Sequence, residues 1–356
     1  MNIHSLGYDD FYAKNFALHG AKGYVPGRIV REESQIYRVL CEAGELRATV
    51  SGRLWYHAEA RSEFPAIGDW VALRVIEGEQ KARIQAILPR KSCFSRKEAG
   101  TVTREQIIAA NVDVLFIVTG LDRDFNVRRL ERYLLLASDS GATPVVVLNK
   151  ADLCENDELS DKLGQARAVA PGTPVLPISA LTGMGLESLF LYLEKGQTGA
   201  LAGSSGVGKS ALINALLEDE QQVVGEVRAS DGRGKHTTTH RELFILPSGG
   251  MLIDSPGMRE LQLWTEEESL DDAFSDIEEL AENCRFRDCQ HQSEPGCAIH
   301  LALQSGELDG ARFDSYLRLQ KEARYLARRQ DQKARLEEQA KWRRISRQIR
   351  KMKIRR

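Results

Sequence analysis

The stretch Gly203-Ser204-Ser205-Gly206-Val207-Gly208-Lys209-Ser210 matches G-x-x-x-x-G-K-S, and it constrains the chain more than any other feature. Such a loop works only where a strand delivers it and a helix receives it. Both are present. A short apolar run ends at Ala202, and Leu212, Ile213, Leu216 and Leu217 after the loop suit the buried face of a helix. The glycines let the backbone wrap so that N–H groups between Gly203 and Ala211 point at phosphate oxygens. The helix N-terminus adds partial positive charge. Lys209 is placed to reach the β- and γ-phosphates of a nucleotide, and the Ser210 hydroxyl to ligate Mg²⁺.

A phosphate loop does not choose a base, but Asn149-Lys150-Ala151-Asp152 does. The Asp152 carboxylate can accept from guanine N1–H and from the exocyclic amine, and adenine offers neither donor in that geometry. Asn149 is expected to brace neighbouring loops, and the Lys150 stem to lie over the base. Ser179-Ala180, at the end of the next strand-like run, provides a small residue whose backbone N–H can approach guanine O6. Asp254 ends the run "GGMLID" and can hold Mg²⁺ through water, while the Gly257 N–H can sense a γ-phosphate. Among Thr237, Thr238 and Thr239, in the segment 225–243, Thr238 is the candidate to close over Mg²⁺.

Each of these motifs follows an apolar run, at 143–152, 173–180, 199–206 and 249–257; a further run lies at 112–121, and helix-like stretches such as 128–138 alternate with the runs. Buried parallel strands alternating with helices predict an α/β sheet, which places its ligand at the carboxyl ends of the strands. The chain order is base, base, phosphate, switch, switch. Guanine-nucleotide proteins usually run phosphate, switch, switch, base, base. The sheet is therefore expected to be circularly permuted, which a site survives because its contacts depend on position in space.

The N-terminal side reads differently. Val71, Leu73 and Val75, then Ala82, Ile84, Ala86 and Leu88, alternate with the residues between them around an "EGEQ" turn. A small all-β barrel of about 60 residues fits, of OB type, with an SH3-like barrel or a plain sandwich as the alternatives. Residues 1–35 yield no assignment. After 265 the chain turns helical and polar, and three of its six cysteines crowd into it. Cys284, Cys289, His291 and Cys297 form a ligand set suited to one structural tetrahedral Zn²⁺ with no open position. His300 is the substitute for His291. The partition is 1–103 for the N-terminal segment and barrel, 104–262 for the permuted α/β domain, 263–322 for the zinc-binding helical domain and 323–356 for a basic tail.

That tail changes the meaning of the net charge. Residues 321–356 hold 15 Lys/Arg against 4 Asp/Glu, although the whole chain carries only −2. An acidic body with a basic end points to a polyanionic partner. Trp342, Ile345, Ile349 and Met352 recur at spacings of 3, 4 and 3, one apolar stripe on a basic helix that could lie on RNA, on a protein or on an anionic membrane. No run of 18 apolar residues predicts a membrane span, and the start lacks a signal-peptide pattern, so a cytoplasmic protein is expected.

Taken together, "NKAD", "PISALTGMGL", "GSSGVGKSALINAL", "GRGKHTTTHREL", "DSPGMREL" and "CRFRDCQHQSEPGCAI" make the chain resemble the circularly permuted GTPases of the RsgA (YjeQ) family, over nearly its whole length. Residues 5–30 depart from the basic N-terminal arm of many members, and the positive charge is concentrated at the C-terminus. The resemblance implies a monomer that binds GTP and GDP. It implies a factor that engages the small ribosomal subunit and its rRNA, hydrolysing GTP late in subunit maturation, slowly alone and faster on the subunit. The alternative is a GTP-dependent RNA- or protein-binding switch in which hydrolysis is incidental. Many GTPases orient the attacking water with a Gln after the D-x-x-G glycine. Here that place is Met258, and the family is similar in using a hydrophobic residue there. His236 is the candidate to supply the missing group, with His240 as runner-up, beside the catalytic contributions of Lys209 and Thr238.

Overall fold

The computed structural model describes residues 1–33, 35–97, 105–123, 125–217, 241–254, 274–286, 289–291, 294–322 and 324. His236, Thr238, His240, Gly257, Met258 and nearly all of the basic tail lie outside the described residues. The chain divides into two compact units, Met1–Gln262 and Leu263–Arg356.

The first unit opens with helix α1 (Asp10–Gly20), whose N-terminus is capped by the Asp9 carboxylate accepting from the Phe11 and Tyr12 N–H groups. Strands β1 (Val25–Glu33), β2 (Ile36–Cys41) and β3 (Gly44–Val50) follow as an antiparallel meander. Helix α2 (Gly52–His57) separates them from β4 (Trp70–Ile76) and β5 (Lys81–Ile87). β5 runs parallel to β3 and antiparallel to β4, and β4 closes back on β1. A closed five-strand barrel with a helix between its third and fourth strands is the OB arrangement, so the sandwich and SH3-like alternatives fall away.

Alternation holds along β5, where Ala82 and Ile84 are buried between exposed Lys81 and Arg83. It fails at the start of β4, where Trp70, Val71, Ala72 and Leu73 are all buried. The reason is α1 and the turn before it, which the sequence did not reveal. Tyr8 and Tyr12 pack on the Trp70 ring with centroids 5.0 and 5.6 Å away, covering what would otherwise be the outer face.

Strands β6 (Cys93–Lys97) and β7 (Glu105–Ala110) form a separate antiparallel ribbon. The second half of the sheet comprises β8 (Val114–Gly120), β9 (Thr143–Asn149), β10 (Val175–Pro177), β11 (Thr198–Ala202), β12 (Arg241–Ile245) and β13 (Met251–Asp254). Helices α3 (Val127–Ser140), α4 (Asn156–Val169), α5 (Glu187–Phe190) and α6 (Lys209–Leu217) lie between them. The spatial order is β10-β9-β8-β11-β13-β12, parallel except for β12. All seven residues of β8 are buried, as a central strand covered on both faces requires. Phe116, Val147, Leu201 and Leu252 from the strands pack with Leu212, Ile213 and Leu216 of α6.

β12 also pairs with β1, so the α/β sheet and the barrel are one continuous eleven-stranded sheet. Arg28 sits at this junction, 2% exposed. Its Nε donates to Gly68 O, its Nη1 to Leu6 O and the Met251 sulfur, and its Nη2 to Asn111 O (3.1 Å) and Thr198 Oγ1 (2.8 Å). Burial lowers the guanidinium pKa from its usual value, opposed by Tyr12, Asp113 and Asp69.

The second unit contains helices α7 (Ser275–Ala281) and α8 (Ala298–Ser305) and a third helix, α9, over 310–322. Phe274, Ile277, Ile299, Phe313 and Tyr316 form its small core. Arg312 grips Asp276 with two bonds of 2.6 and 2.5 Å, tying α9 to α7.

Candidate functional site

The carboxyl ends of β8, β9, β10, β11 and β13 lie at one edge of the sheet, and all but β8 carry a predicted site segment or run into one. β11 ends at Ala202 and delivers the phosphate loop, which α6 receives at Lys209. Gly203 has φ +144°, and a Cβ there would stand 2.1 Å from Val118 O of β8. Gly208 has φ +96°, and its Cβ would stand 2.3 Å from Asn149 Nδ2. Only glycine fits either place, and the second shows how closely the two transposed motifs approach.

Asn149 ends β9 and is 2% exposed. Its Nδ2 donates to Val207 O at 2.8 Å, and its Oδ1 accepts from the Ala180 N–H at 3.0 Å. One amide thus ties the phosphate loop to the loop after β10. Lys150 adopts the left-handed region, φ +67°, and its Nζ donates to Gly206 O at 2.8 Å and to Asp122 at 2.6 Å. Ala151 is buried and donates to Ile178 O, while Asp152 is exposed on a short 3-10 turn. Ser179 is fully buried and its Oγ accepts from the Thr182 N–H, fixing the turn that presents Ala180. Lys209 is buried, its ammonium held by Gly203 O (2.7 Å) and Ser204 O (2.5 Å). Ser204, Ser205, Ser210 and Ala211 are half-buried around it, and Val207 anchors the loop in the core.

Asp254 ends β13, one residue past Ile253, the parallel partner of Ala200 in β11. It therefore stands beside the entry to the phosphate loop, where the carboxylate of a water-linked Mg²⁺ site is needed. Ser210, in the first turn of α6, is the other described residue suited to that ion.

Two contacts escaped the sequence reading. Arg129 of α3 donates to Ser204 Oγ at 2.5 Å, and Asp122, just beyond β8, holds the Lys150 ammonium. Asp122 had a signal. The rule that functional groups follow strand ends applies to β8 as well as to its neighbours. Arg129 had none, because its relation to the loop depends on where α3 lies.

In the second unit the ligand atoms of Cys284, Cys289, His291 and Cys297 lie within 4.8 Å of one another. His291 Nδ1 is 3.6 Å from Cys284 Sγ and 3.5 Å from Cys297 Sγ, and those two sulfurs are 3.9 Å apart. A tetrahedron with ordinary Zn–S and Zn–N bonds has edges of about 3.8 Å between sulfurs and about 3.6 Å from sulfur to nitrogen. The donor set therefore fits zinc, and His300 is not one of the four. His291 takes φ +56° and Gly296 φ +78°, the turns that fold the short loop inward. Cys297 caps α8, and Cys284 Sγ accepts from the Ala298 N–H at 3.3 Å.

Residues 87–264 match the sequence profile of the RsgA GTPase family. The "Small ribosomal subunit biogenesis GTPase RsgA" of Opitutus terrae is 44% identical over 355 residues, covering 97% of this chain and 96% of that protein. "Small ribosomal subunit biogenesis GTPase RsgA 1" of Oceanobacillus iheyensis is 42% identical over 99% of both chains. Among solved structures, YjeQ from Thermotoga maritima superposes with a TM-score of 0.63 at 28% identity, over 84% of this chain and 98% of its own. YloQ, described as a circularly permuted GTPase, gives 0.61 at 25% identity, over 85% and 95%. The convergence of a base-reading loop and a phosphate loop in transposed chain order thus has a family to explain it: this chain belongs to the RsgA GTPases and is a hydrolase acting on GTP.

Proposed function

We propose that the chain binds the small ribosomal subunit and its rRNA in the cytoplasm and hydrolyses GTP there late in subunit maturation. Intrinsic turnover is slow and contact with the subunit raises it. The observation that carries the nucleotide half of this reading is the Asn149 amide, which couples Val207 of the phosphate loop to Ala180 of the base loop. The names of the relatives carry the ribosomal half.

In this reading Asp152 pairs with the guanine N1–H and amine, the Ala180 N–H faces O6, and the Lys150 stem covers the base. The backbone N–H groups from Gly203 to Ala211 receive the phosphates. Lys209 exchanges its carbonyl partners for β- and γ-phosphate oxygens. Ser210, Asp254 through water and Thr238 would hold Mg²⁺, which would supply positive charge to offset that of the phosphates. Gly257 donates to the γ-phosphate. With Met258 where a water-orienting Gln often stands, His236 positions the attacking water, and subunit contact brings it into place. The zinc knuckle is structural. Barrel, zinc-binding domain (263–322) and basic tail (323–356) hold RNA, and the protein acts as a monomer.

Turnover of the purified chain with and without small subunits decides the matter. A stimulation of tenfold or more is expected, and it should vanish in His236→Ala. Subunit binding with unchanged turnover would leave a GTP-dependent binding switch instead.

A further inference from the structure

At the edge of the sheet away from the phosphate loop lies a cavity of about 280 Å³. Arg28 and Trp70, cross-strand partners on β1 and β4, line it from the barrel. Tyr8 and Tyr12 line it from the turn before α1 and from α1 itself. Asp113 and Lys195 line it from the amino-terminal sides of β8 and β11. β11 runs the five residues from Thr198 to Ala202 before the phosphate loop begins. At strand rise, the cavity is therefore roughly 17 Å from that loop, a place apart from the nucleotide's.

Several groups lining it lack an acceptor or a counter-charge. Trp70 is fully buried, and its Nε1 has no hydrogen-bond acceptor among the described residues. A buried indole N–H usually finds a partner, and leaving it without one costs about 1–3 kcal/mol. Tyr12 is buried too, and its hydroxyl has no partner among the described residues. Burial pushes its pKa well above the usual value, so it stays a donor. Arg28 spends its N–H groups on neutral acceptors, which satisfies its hydrogen bonds and leaves its charge without a paired carboxylate among the described residues. Asp69 is turned to Arg90 at 2.7 Å, and Asp113 accepts the Thr198 N–H at 2.8 Å. Buried charges are ordinarily paired. Lys195 is exposed and has no carboxylate partner among the described residues either, whereas Asp9 is held by Lys91. Arg28, Lys91 and Lys195 thus stand against Asp9 and Asp113, with one positive charge in excess. Water can satisfy an indole N–H, but it brings no charge.

We propose that this cavity binds a small organic carboxylate, which takes the Trp70 N–H and the Tyr12 hydroxyl and supplies the Arg28 guanidinium with a counter-charge. Lys195 meets the same carboxylate from the exposed side. The apolar part of the ligand rests on the Tyr8 and Tyr12 rings. The single excess charge favours a monoanion over a phosphate. Ligand pockets usually begin at about 300 Å³, so the volume excludes a nucleotide or a peptide and leaves a molecule of about one ring. Because the lining comes from the N-terminal segment, the barrel and the α/β sheet, an occupied cavity ties the three together and raises the melting temperature.

The test titrates the full chain with benzoate, with benzamide as its neutral isostere and with inorganic phosphate as a competing anion. The readout is the Trp70 indole N–H resonance, assigned through its contacts with the Tyr8 and Tyr12 rings. A saturable shift with benzoate is expected, with a dissociation constant of about 1 mM or lower. Benzamide and phosphate should bind about tenfold more weakly or worse. Tyr12→Phe, which keeps the ring, should weaken benzoate about tenfold. Lys195→Gln should weaken it about threefold. Lys14→Gln, on the exposed side of α1 and away from the cavity, is the charge-matched control and should change nothing. Lys195 is exposed, so its variant keeps the test open if Tyr12→Phe loosens α1. The shift should be the same with saturating GDP as without nucleotide. No shift with benzoate, an equal shift with benzamide, or parental affinity in both Tyr12→Phe and Lys195→Gln would overturn the proposal. Tighter binding of phosphate would make this a site for inorganic oxyanions and overturn the carboxylate assignment. Loss of the shift on adding GDP would put benzoate in the nucleotide site and overturn it as well.

Discussion

Asn149 commits both ends of its side-chain amide to the backbone of two other loops, at 2.8 and 3.0 Å. Asn149→Ala strands Val207 O and the Ala180 N–H in a buried place, each at about 1–3 kcal/mol. A lower melting temperature is expected together with at least a tenfold loss of GTP affinity; a variant with parental affinity would show that the brace is not needed for the site. Asp152 has a different role, being exposed on its turn and free to face a base. Asp152→Asn replaces an acceptor with a donor where the guanine amine would sit. Titration should show GTP affinity falling by about a hundredfold or more, with xanthosine triphosphate, which carries a carbonyl there, preferred instead. Equal loss for both nucleotides would place the base elsewhere.

At the scale of elements, Arg28 links the turn before α1, the barrel strand β1 and the sheet strands β11 and β13. Removing it leaves the carbonyls of Leu6 and Asn111 without that donor, while Gly68 O keeps the Asn111 amide at 3.0 Å. Arg28→Met is expected to cost about 3–5 kcal/mol in denaturant unfolding, and Arg28→Lys should not rescue it, because a point charge cannot reproduce the planar fork. The cluster of Cys284, Cys289, His291 and Cys297 would act on a shorter element. Cys297 is the residue before α8, and the Cys284 sulfur accepts the first N–H of that helix, from Ala298. The core beneath it is small, so a metal held by the cluster would supply much of the order. One zinc per chain is expected by elemental analysis, and none after Cys289→Ser and Cys284→Ser together. Chelation should lower helical circular dichroism; an unchanged spectrum after complete metal removal would show that the helices stand without it.

On the scale of the whole molecule, the continuous sheet joins nucleotide site and barrel. Asp254 in β13 is opposite Glu242 in β12, and Glu242 is opposite Arg31 in β1. Arg241 and Arg61 both reach Glu32 of β1, at 3.3 and 3.5 Å. Exchange of GDP for a GTP analogue should therefore alter amide hydrogen exchange along β1 as well as around Asp254; protection confined to the phosphate loop would exclude that route. Much of this protein was legible from its sequence. Local rules sufficed for the phosphate loop, the Asn-Lys-x-Asp segment, the period of two in β5 and the clustering of three cysteines and a histidine, because each depends on residue types at short, fixed spacing. Even the permutation could be read from motif order. Neither Arg28 nor α1 over Trp70 could be read that way, nor could the pairing of β12 with β1. Each joins residues far apart in the chain, whose meeting depends on strand register and on which surface covers which. Sequence alone determined the chemistry this chain can perform, while the tertiary structure decided which distant charges and strands that chemistry can act through.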